Sequence, residues 1–274
     1  MKKLIAVALM LGAASVADAG KGGSAASIQA AIASNGQDAI LAEVERTETL
    51  ECSACVPLVT QLLTDNRYAV REVAAWWFAK RPGLQQRLAV QMEAALQGGD
   101  SVGIRNAADF LGTTKEYKAL PLLRATMSRG SALTVDARLA LVRAAGYMAH
   151  TGGNPILLAG MADSDASVRT AAVFAWRDVL GQANVTPVEP LLTDGTPQVR
   201  AAAATVIGAY RDARVVGSLE QLVMNDGDVT VRRNAAWALG KIGSTQATEA
   251  LTAASHDASP IVASVARASL HALH

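Results

Sequence analysis

The sequence predicts an all-α protein, a right-handed α-solenoid of about seven helical hairpins. Three observations predict this class: a short motif that begins with Val-Arg recurs at regular intervals, a helix-capping residue precedes most copies at a fixed distance, and alanine supplies much of the apolar content. Hydrophobic residues make up 51% of the 274-residue chain, whereas aromatic residues make up only 4%. Alanine has the highest helix propensity of all residues, and its small side chain lets helices pack closely.

The repeated motif is clearest in "VREVAAWWFAK" from Val70 and "VRRNAAWALGK" from Val231, which share Val-Arg-x-x-Ala-Ala-Trp. Weaker copies are "VRTAAVFAW" from Val168 and "VRAAAATVIGAY" from Val199, and a last copy begins at Val262. The motif arginines are Arg71, Arg105, Arg138, Arg169, Arg200 and Arg232, with spacings of 34, 33, 31, 31 and 32 residues. Such periods are typical of solenoids, in which stacked units bury a shared core.

Capping chemistry gives an independent indication of where helices begin. Side chains able to accept hydrogen bonds from the first N–H groups of a helix stand four residues before the arginine, or before Ala263 in the last copy. They are Ser101, Thr134, Asp165, Thr196, Asp228 and Ser259. Pro197 and Pro260 follow two of them, where proline suits the first helical turn. Each motif is therefore predicted to open the second helix of a hairpin.

The first helix of each hairpin is predicted from apolar clusters upstream of the motif, such as "ALPLLRATM" and "GSLEQLV". Two helices near residues 24–34 and 37–46 are predicted as an N-terminal cap, and residues 84–96 as an additional helix within the long first spacing. The predicted organisation is a signal peptide over residues 1–19, a linker and helical cap over residues 20–49, and one continuous solenoid over residues 50–274.

The N-terminus has the order of a secretory signal. Lys2 and Lys3 precede an apolar stretch from Leu4 to about Val16, and Ala17-Asp18-Ala19 provides small residues at the positions that a signal peptidase reads. The apolar run is too short to span a bilayer, which takes roughly 20 apolar residues. We expect a mature protein that begins at Gly20, has no membrane span and is periplasmic or secreted.

The complete repeat resembles a known family. The segment "DVTVRRNAAWALGKIGSTQATEALTAA", residues 228–254, matches the frame Asp-x-x-Val-Arg-x-x-Ala-Ala-x-Ala-Leu-Gly-x-Ile-Gly of the HEAT-like repeats also found in bacterial phycobilisome lyases. The resemblance covers roughly residues 50–274. It implies a protein-binding scaffold whose recurrent Asp and Arg link neighbouring units. A lyase would need bilin chemistry that nothing else in the sequence supports.

The balance of charge disfavours nucleic acid as a partner. Of the 25 basic and 24 acidic residues, 23 of each remain once Lys2, Lys3 and Asp18 are removed with the signal. Phosphate backbones are bound chiefly by concentrated Lys and Arg, and here both signs are interspersed along the chain. We expect another protein or peptide as the partner.

The only two cysteines are Cys52 and Cys55, in "LECSACVPLV". A c-type haem anchor would need histidine directly after the second cysteine, where Val56 stands, and a zinc site would need further ligands nearby. Cofactor and metal sites are therefore not expected. A close pair in an exported chain favours a structural disulfide. The alternative is a thiol–disulfide redox or maturation factor, although the adjacent Glu51 disfavours a thiolate.

No catalytic constellation is recognisable, so we expect a non-catalytic protein that binds its partner through the surface formed by its second helices. Trp76 and Trp77 are adjacent and therefore point about 100° apart on one helix. One of them is a candidate exposed anchor, and packing in the core is the alternative role. The candidate partner-binding residues follow the motif arginines by several positions: Trp77, Lys80, Arg81, Arg177, Asp178, Tyr210, Arg211 and Lys241.

Overall fold

A computed structural model describes residues 23–181 and 184–273. In these ranges the chain forms fifteen α-helices and no β-strand. The helices are α1 (Ala25–Ser34), α2 (Gln37–Arg46), α3 (Cys55–Leu62), α4 (Tyr68–Ala79), α5 (Pro82–Gly98), α6 (Ser101–Thr113), α7 (Leu120–Met127), α8 (Val135–Met148), α9 (Asn154–Met161), α10 (Ala166–Asp178), α11 (Pro197–Tyr210), α12 (Val216–Asn225), α13 (Val229–Ile242), α14 (Thr248–Ala254) and α15 (Pro260–His271). The predicted signal peptide lies outside the described residues.

The helices stack in two layers. The second helices α4, α6, α8, α10, α11, α13 and α15 each pack on the next in chain order, and first helices pack likewise, α5 on α7 and α7 on α9. Helices α1 and α2 extend the two layers, because α1 packs on α3 and α2 on α4. A 3-10 helix, Glu189–Thr193, replaces the first helix before α11. The predicted all-α solenoid is confirmed.

One predicted helix has a different role from the one expected. Residues 84–96 were expected to form an additional helix within the long first spacing; they belong to α5, which packs against α6 as the first helix of a hairpin. Helix α5 has 17 residues whereas α7 and α9 have 8 each, so α5 occupies half of the spacing of 34 residues between Arg71 and Arg105. Seven hairpins therefore follow residue 50.

Partly buried ion pairs join successive hairpins. The motif arginine of one unit donates through Nε to an aspartate 25 or 26 residues further on, at N–O distances of 2.7 to 2.8 Å. These pairs are Arg138–Asp163, Arg169–Asp194, Arg200–Asp226 and Arg232–Asp257. Each aspartate also accepts the backbone N–H two residues on, a local turn that presents the next helix start. The arginines thus bridge adjacent units, as the family resemblance implies.

The first two arginines depart from this arrangement. Gly99 and Ala132 stand six residues before the next motif position, where the later units have the aspartate. Arg71 donates instead to Asp109 of α6, at 2.7 Å. Arg105 donates through Nε to Asn106, but its Nη2 is buried and has no partner among the described residues. Burial lowers the pKa of the Arg105 guanidinium.

The predicted caps are only partly present. Thr134, Asp165 and Asp228 accept N–H groups from the first turns of α8, α10 and α13. Thr196 and Ser259 hold the capping backbone position but their side chains accept no N–H from the helix. Before α6 the prediction is off by one residue.

Asp100 is the residue that caps α6, since it accepts the N–H of Gly103 at 2.8 Å. The Ser101 hydroxyl instead accepts the N–H of Thr134 in the next hairpin, at 3.1 Å. A polar residue just inside the helix thus joins two units, and the stronger acceptor, a carboxylate, takes the cap.

Small residues bring the second helices close together. A methyl group on Gly112 would lie 2.5 Å from Cα of Ala144, and one on Gly208 would lie 2.7 Å from Cα of Ala238. Both are shorter than any normal contact, so glycine is required where α6 meets α8 and where α11 meets α13. This close approach sets the spacing of the surface that the second helices present.

Candidate protein-binding surface

In the α4, α8, α10 and α13 units, the side chains five and nine positions after the motif arginine are at least partly exposed, whereas the corresponding Phe110 and Thr114 of the α6 unit are buried. We call the exposed and partly exposed side chains of these four units the second-helix face: Trp76, Lys80, Arg143, Tyr147, Phe174, Asp178, Trp237 and Lys241. Three of its aromatic rings have a cation nearby. Lys80 lies 5.3 Å from the Trp76 ring centroid, Arg177 lies 5.8 Å from Phe174, and Lys241 lies 5.7 Å from Trp237.

Two adjoining clefts open on this face and share Tyr147. The acidic cleft, about 360 Å³, is lined by Leu41, Glu45, Ala69, Glu72, Val73, Trp76, Thr113 and Tyr147. The central cleft, about 470 Å³, is lined by Tyr68, Val142, Arg143, Gly146, Tyr147, Ala149, Ala171, Ala175 and Asp178. Apolar walls with a few convergent polar groups are typical of binding sites.

A chain of hydrogen bonds connects the two clefts. The Tyr68 hydroxyl donates to that of Tyr147 at 3.0 Å, and the Tyr147 hydroxyl donates to the Glu72 carboxylate. Burial raises the pKa of both tyrosines, so they remain protonated donors. Tyr68 belongs to α4 and Tyr147 to α8, with α6 between them. Side chains two hairpins apart meet only where the stack curves inward, so this is its concave side.

The same region contains a shared buried carboxylate. Asp109 of α6 accepts from Arg71 through one oxygen and from Arg143 through the other, at 2.7 and 2.8 Å. The Arg143 guanidinium lies 4.3 Å from the centroid of the Tyr68 ring. Helices α4, α6 and α8 are thus held together through charge-assisted hydrogen bonds and a cation–π contact, which fixes the floor of the central cleft.

The cysteine pair lies in a third cleft, which we call the junction cleft. It encloses about 600 Å³ between the 48–53 segment and the end of α4, and Cys52 lies on its wall. Cys52 and Cys55 form a disulfide, with their Cα atoms 5.2 Å apart. Cys55 is fully buried, whereas Cys52 is partly exposed. The backbone N–H of Cys55, at the start of α3, points to the Cys52 sulfur at 3.1 Å.

Arg81 holds the loop that leads to this disulfide. Its guanidinium lies 3.4 Å from the centroid of the Trp77 ring and donates to the backbone oxygens of Thr47, Glu48 and Leu50 at 2.8 to 3.0 Å. A further bond goes to the oxygen of Trp77. Arg81 was predicted as a partner contact, but its donors are used within the chain.

The expectation that Trp77 reaches the surface is wrong. Its side chain is fully buried, and its indole N–H donates to the Thr47 hydroxyl at 2.9 Å. Trp76, the adjacent residue, is the partly exposed one. The physical reason is the presence of α2 and the segment after it, which cover the side of α4 on which Trp77 lies.

The remaining candidates are distributed over several places. Lys80 is exposed and pairs with Glu48, and Arg177 pairs with Asp178. Tyr210 is half-buried, and its hydroxyl donates to the backbone oxygen of Trp176 at 3.4 Å. Arg211 and Lys241 are both exposed. These residues therefore do not form one site. Lys80 lies in the junction cleft, Asp178 in the central cleft and Lys241 in a smaller groove with Trp237.

Sequence reasoning missed Tyr68, Glu72, Arg143 and Tyr147, which line the two adjoining clefts. The register contained a usable signal for two of them. Arg143 stands five residues after its motif arginine, as Trp76 does, and Tyr147 stands nine after it, as Lys80 does. No comparable signal pointed to Tyr68, whose contact with Tyr147 joins residues 79 positions apart.

Two layers of successive helical hairpins around one continuous core define an α-solenoid repeat protein. A family model described as HEAT repeats matches residues 185–271, which span the last three of the seven hairpins. A search of curated protein sequences finds no match. Among the described residues, no helix combines the length and apolar character needed to cross a membrane.

A comparison with solved structures finds 73 matching chains. The X-ray structure of YibA from Escherichia coli has a TM-score of 0.53 at 17% identity, and the match covers 85% of this chain and 87% of that one. Human deoxyhypusine hydroxylase, solved with glycerol, has a TM-score of 0.39 at 18% identity, covering 90% and 97%. The complex of CpcE and CpcF of phycocyanin lyase from a Nostoc species has a TM-score of 0.42 at 19% identity, covering 80% and 94%.

Proposed function

We propose that this protein is an exported, non-catalytic scaffold that binds another protein along its second-helix face. The observation that carries the proposal is the pair of adjoining clefts that share Tyr147. They lie on the concave side of a repeat stack, the surface that solenoids commonly offer to an extended partner. The half-exposed aromatic rings of the face suit protein contacts, because aromatic residues are enriched at binding hot spots.

The distribution of charge supports a non-catalytic binding role. The motif arginines from Arg138 to Arg232 are all engaged by aspartates of the neighbouring unit, and Asp109 is shared by two guanidinium groups. Such side chains stabilise the stack and are not available to a substrate. Export is supported by the signal-like N-terminus and by the disulfide, because disulfides persist in oxidising compartments.

Site-specific photocrosslinking in the cell tests the proposed surface. A photoreactive amino acid at Phe174, on the second-helix face, is compared with one at Leu158, on first helix α9; the two side chains are 36% and 44% exposed. We expect a protein adduct from position 174 and none from position 158. Adducts only from position 158, or from neither position, contradict binding on this face. N-terminal sequencing of the exported protein checks the predicted start at Gly20.

A second candidate function is favoured by the geometry of the cysteines. The partly exposed Cys52 on a cleft wall, with the N–H of Cys55 directed at its sulfur, suits a thiol–disulfide factor, since such a donor lowers the pKa of a thiol. Equilibration with glutathione buffers separates the candidates. If the disulfide resists reduction and the Cys52→Ala variant still captures the partner, the scaffold function is supported. If the disulfide is readily reduced and the Cys52→Ala variant no longer captures the partner, a thiol–disulfide exchange function is supported.

A further inference from the structure

The acidic cleft contains carboxylates that lack a basic partner. Glu45 and Glu72 line it, and neither forms an ion pair with any described residue. Nearby acids differ in this respect, because Glu43 pairs with Arg46 and Glu48 with Lys80. The cleft therefore carries negative charge that the protein itself does not neutralise.

The rest of the cleft suits the stem of a long cationic side chain. Leu41 and Val73 provide apolar wall, and Trp76 provides an aromatic ring that already accepts a cation, the Lys80 ammonium 5.3 Å from its centroid. Lysine and arginine bury their methylene stems along apolar surface and place their charge at polar groups or over aromatic rings. A cleft with apolar and aromatic walls and a negative charge is therefore complementary to a lysine or arginine side chain.

Two polar groups in the cleft have spare capacity for hydrogen bonding. The Glu72 carboxylate accepts from the Tyr147 hydroxyl, which orients it and leaves its other acceptor positions available. The Thr113 hydroxyl is buried at the cleft wall and has no hydrogen-bond partner among the described residues. Buried polar atoms are normally paired, so this hydroxyl is an independent indication that a polar ligand group enters here.

We infer that the acidic cleft binds a lysine or arginine side chain of an extended partner segment, whose neighbouring apolar residue occupies the central cleft. This inference rests on the proposed protein-binding function. The central cleft selects no charge, because its Arg143 and Asp178 are each paired within the chain, and its Val142, Ala171 and Ala175 favour an apolar side chain. A charge-assisted hydrogen bond to Glu72 supplies the preference for a cation.

The test uses four pools of fluorescein-labelled hexapeptides with a fixed central lysine, arginine, norleucine or glutamate and mixed neighbours, titrated with the chain from Gly20 by fluorescence polarisation. We expect the lysine and arginine pools to bind about tenfold more tightly than the norleucine pool. Glu72→Gln and Glu45→Gln should each reduce this preference about threefold. Glu249→Gln is the matched control, an exposed glutamate on α14 outside the clefts.

Equal affinity for the lysine and norleucine pools, or an unchanged preference in Glu72→Gln, overturns the inference. Since Glu45 is exposed, Glu45→Gln also reports on the cleft if the Glu72 variant fails to fold. The proposed function is tested separately. Adducts at Phe174 without a preference for basic peptides leave the scaffold proposal standing, whereas a basic preference without adducts at Phe174 contradicts binding along the whole face.

Discussion

Arg105 and Ala132 occupy the positions at which Arg138 and Asp163 of the following hairpin form an ion pair. Ala132 stands six residues before Arg138, as Asp163 stands six before Arg169. The consequence is visible at Arg105, which is buried and has no hydrogen-bond partner for its Nη2 atom among the described residues. The cost of burying this guanidinium is therefore incurred without the carboxylate that offsets it elsewhere.

Supplying that carboxylate should stabilise the protein. We expect Ala132→Asp to raise the free energy of unfolding by about 1 kcal/mol, because a hydrogen bond to a charged group is stronger than a neutral one. Urea denaturation followed by circular dichroism measures it. Ser131→Asp, at the adjacent exposed position, is the control for added charge. An equal effect of the two substitutions would show that no ion pair with Arg105 forms.

The Arg–Asp ion pairs of the later hairpins should make the free energy of unfolding depend on pH. The hydrogen bond from Arg169 holds the pKa of Asp194 below its usual range, and the bond from Arg232 does the same for Asp257. A lowered pKa in the folded state contributes stability that is complete above the unfolded value of about 3.9 and is lost as pH falls through the folded value.

Urea denaturation between about pH 2 and 7 measures this dependence. We expect the free energy of unfolding to fall steeply below about pH 4. The Asp194→Asn variant should start from a lower stability at neutral pH and should lose less on acidification, since its amide does not titrate. An identical loss in the variant and the parent would mean that Asp194 does not contribute to acid sensitivity.

The repeat architecture was predictable because each unit repeats the same local chemistry. The Val-Arg register located the second helices, and Asp165 and Asp228 were correctly expected as caps. The partners of the arginines were also present in the sequence, since Asp163 and Asp194 stand six residues before the next motif arginine. These aspartates stand two residues before the capping positions, and the capping pattern alone does not indicate them.

The binding surface was less predictable than the repeat architecture, because it depends on how the stack of hairpins curves. Tyr68 meets Tyr147 across an intervening helix, and no local pattern encodes that approach. The burial of Trp77 is likewise a tertiary effect, since helical periodicity separates Trp76 from Trp77 but does not state which side another helix covers. The residue that decides this is Thr47, whose hydroxyl accepts the Trp77 indole N–H.

The loop before α3 should depend more on Arg81 than on the disulfide. The pair Cys52 and Cys55 closes a very short loop, so the disulfide restricts the unfolded chain by roughly 2 kcal/mol or less. Arg81 makes four bonds to backbone oxygens and lies against Trp77. Three of these bonds are partly buried and one is exposed, so each oxygen left without its donor costs at most as much as a fully buried group, about 1–3 kcal/mol.

We expect Arg81→Met to lower the melting temperature more than the double change Cys52→Ala and Cys55→Ala, as measured by differential scanning calorimetry. Arg87→Met, an exposed arginine on α5, is the control for loss of a positive charge and should have little effect. A larger loss in the double cysteine variant than in Arg81→Met would show that the disulfide is the main constraint on this loop.

Helices α6 and α8 pack so closely that we expect no side chain to fit at position 112 in place of Gly112. A methyl group there would lie 2.5 Å from Cα of Ala144, so α6 and α8 would have to separate. Because Thr113 of α6 and Tyr147 of α8 both line the acidic cleft, the change also widens the site. We expect Gly112→Ala to lower the free energy of unfolding by about 2 kcal/mol, the usual cost of overpacking.

Gly217 in α12 is the matched control, since nothing lies within 4 Å of a methyl group added there. We expect Gly217→Ala to raise the free energy of unfolding by about 0.5 kcal/mol, because alanine restricts the unfolded chain and favours the helix. Thermal and urea denaturation of the two variants give the comparison. Opposite signs support close contact between α6 and α8, whereas a gain in both variants would mean that these helices lie further apart.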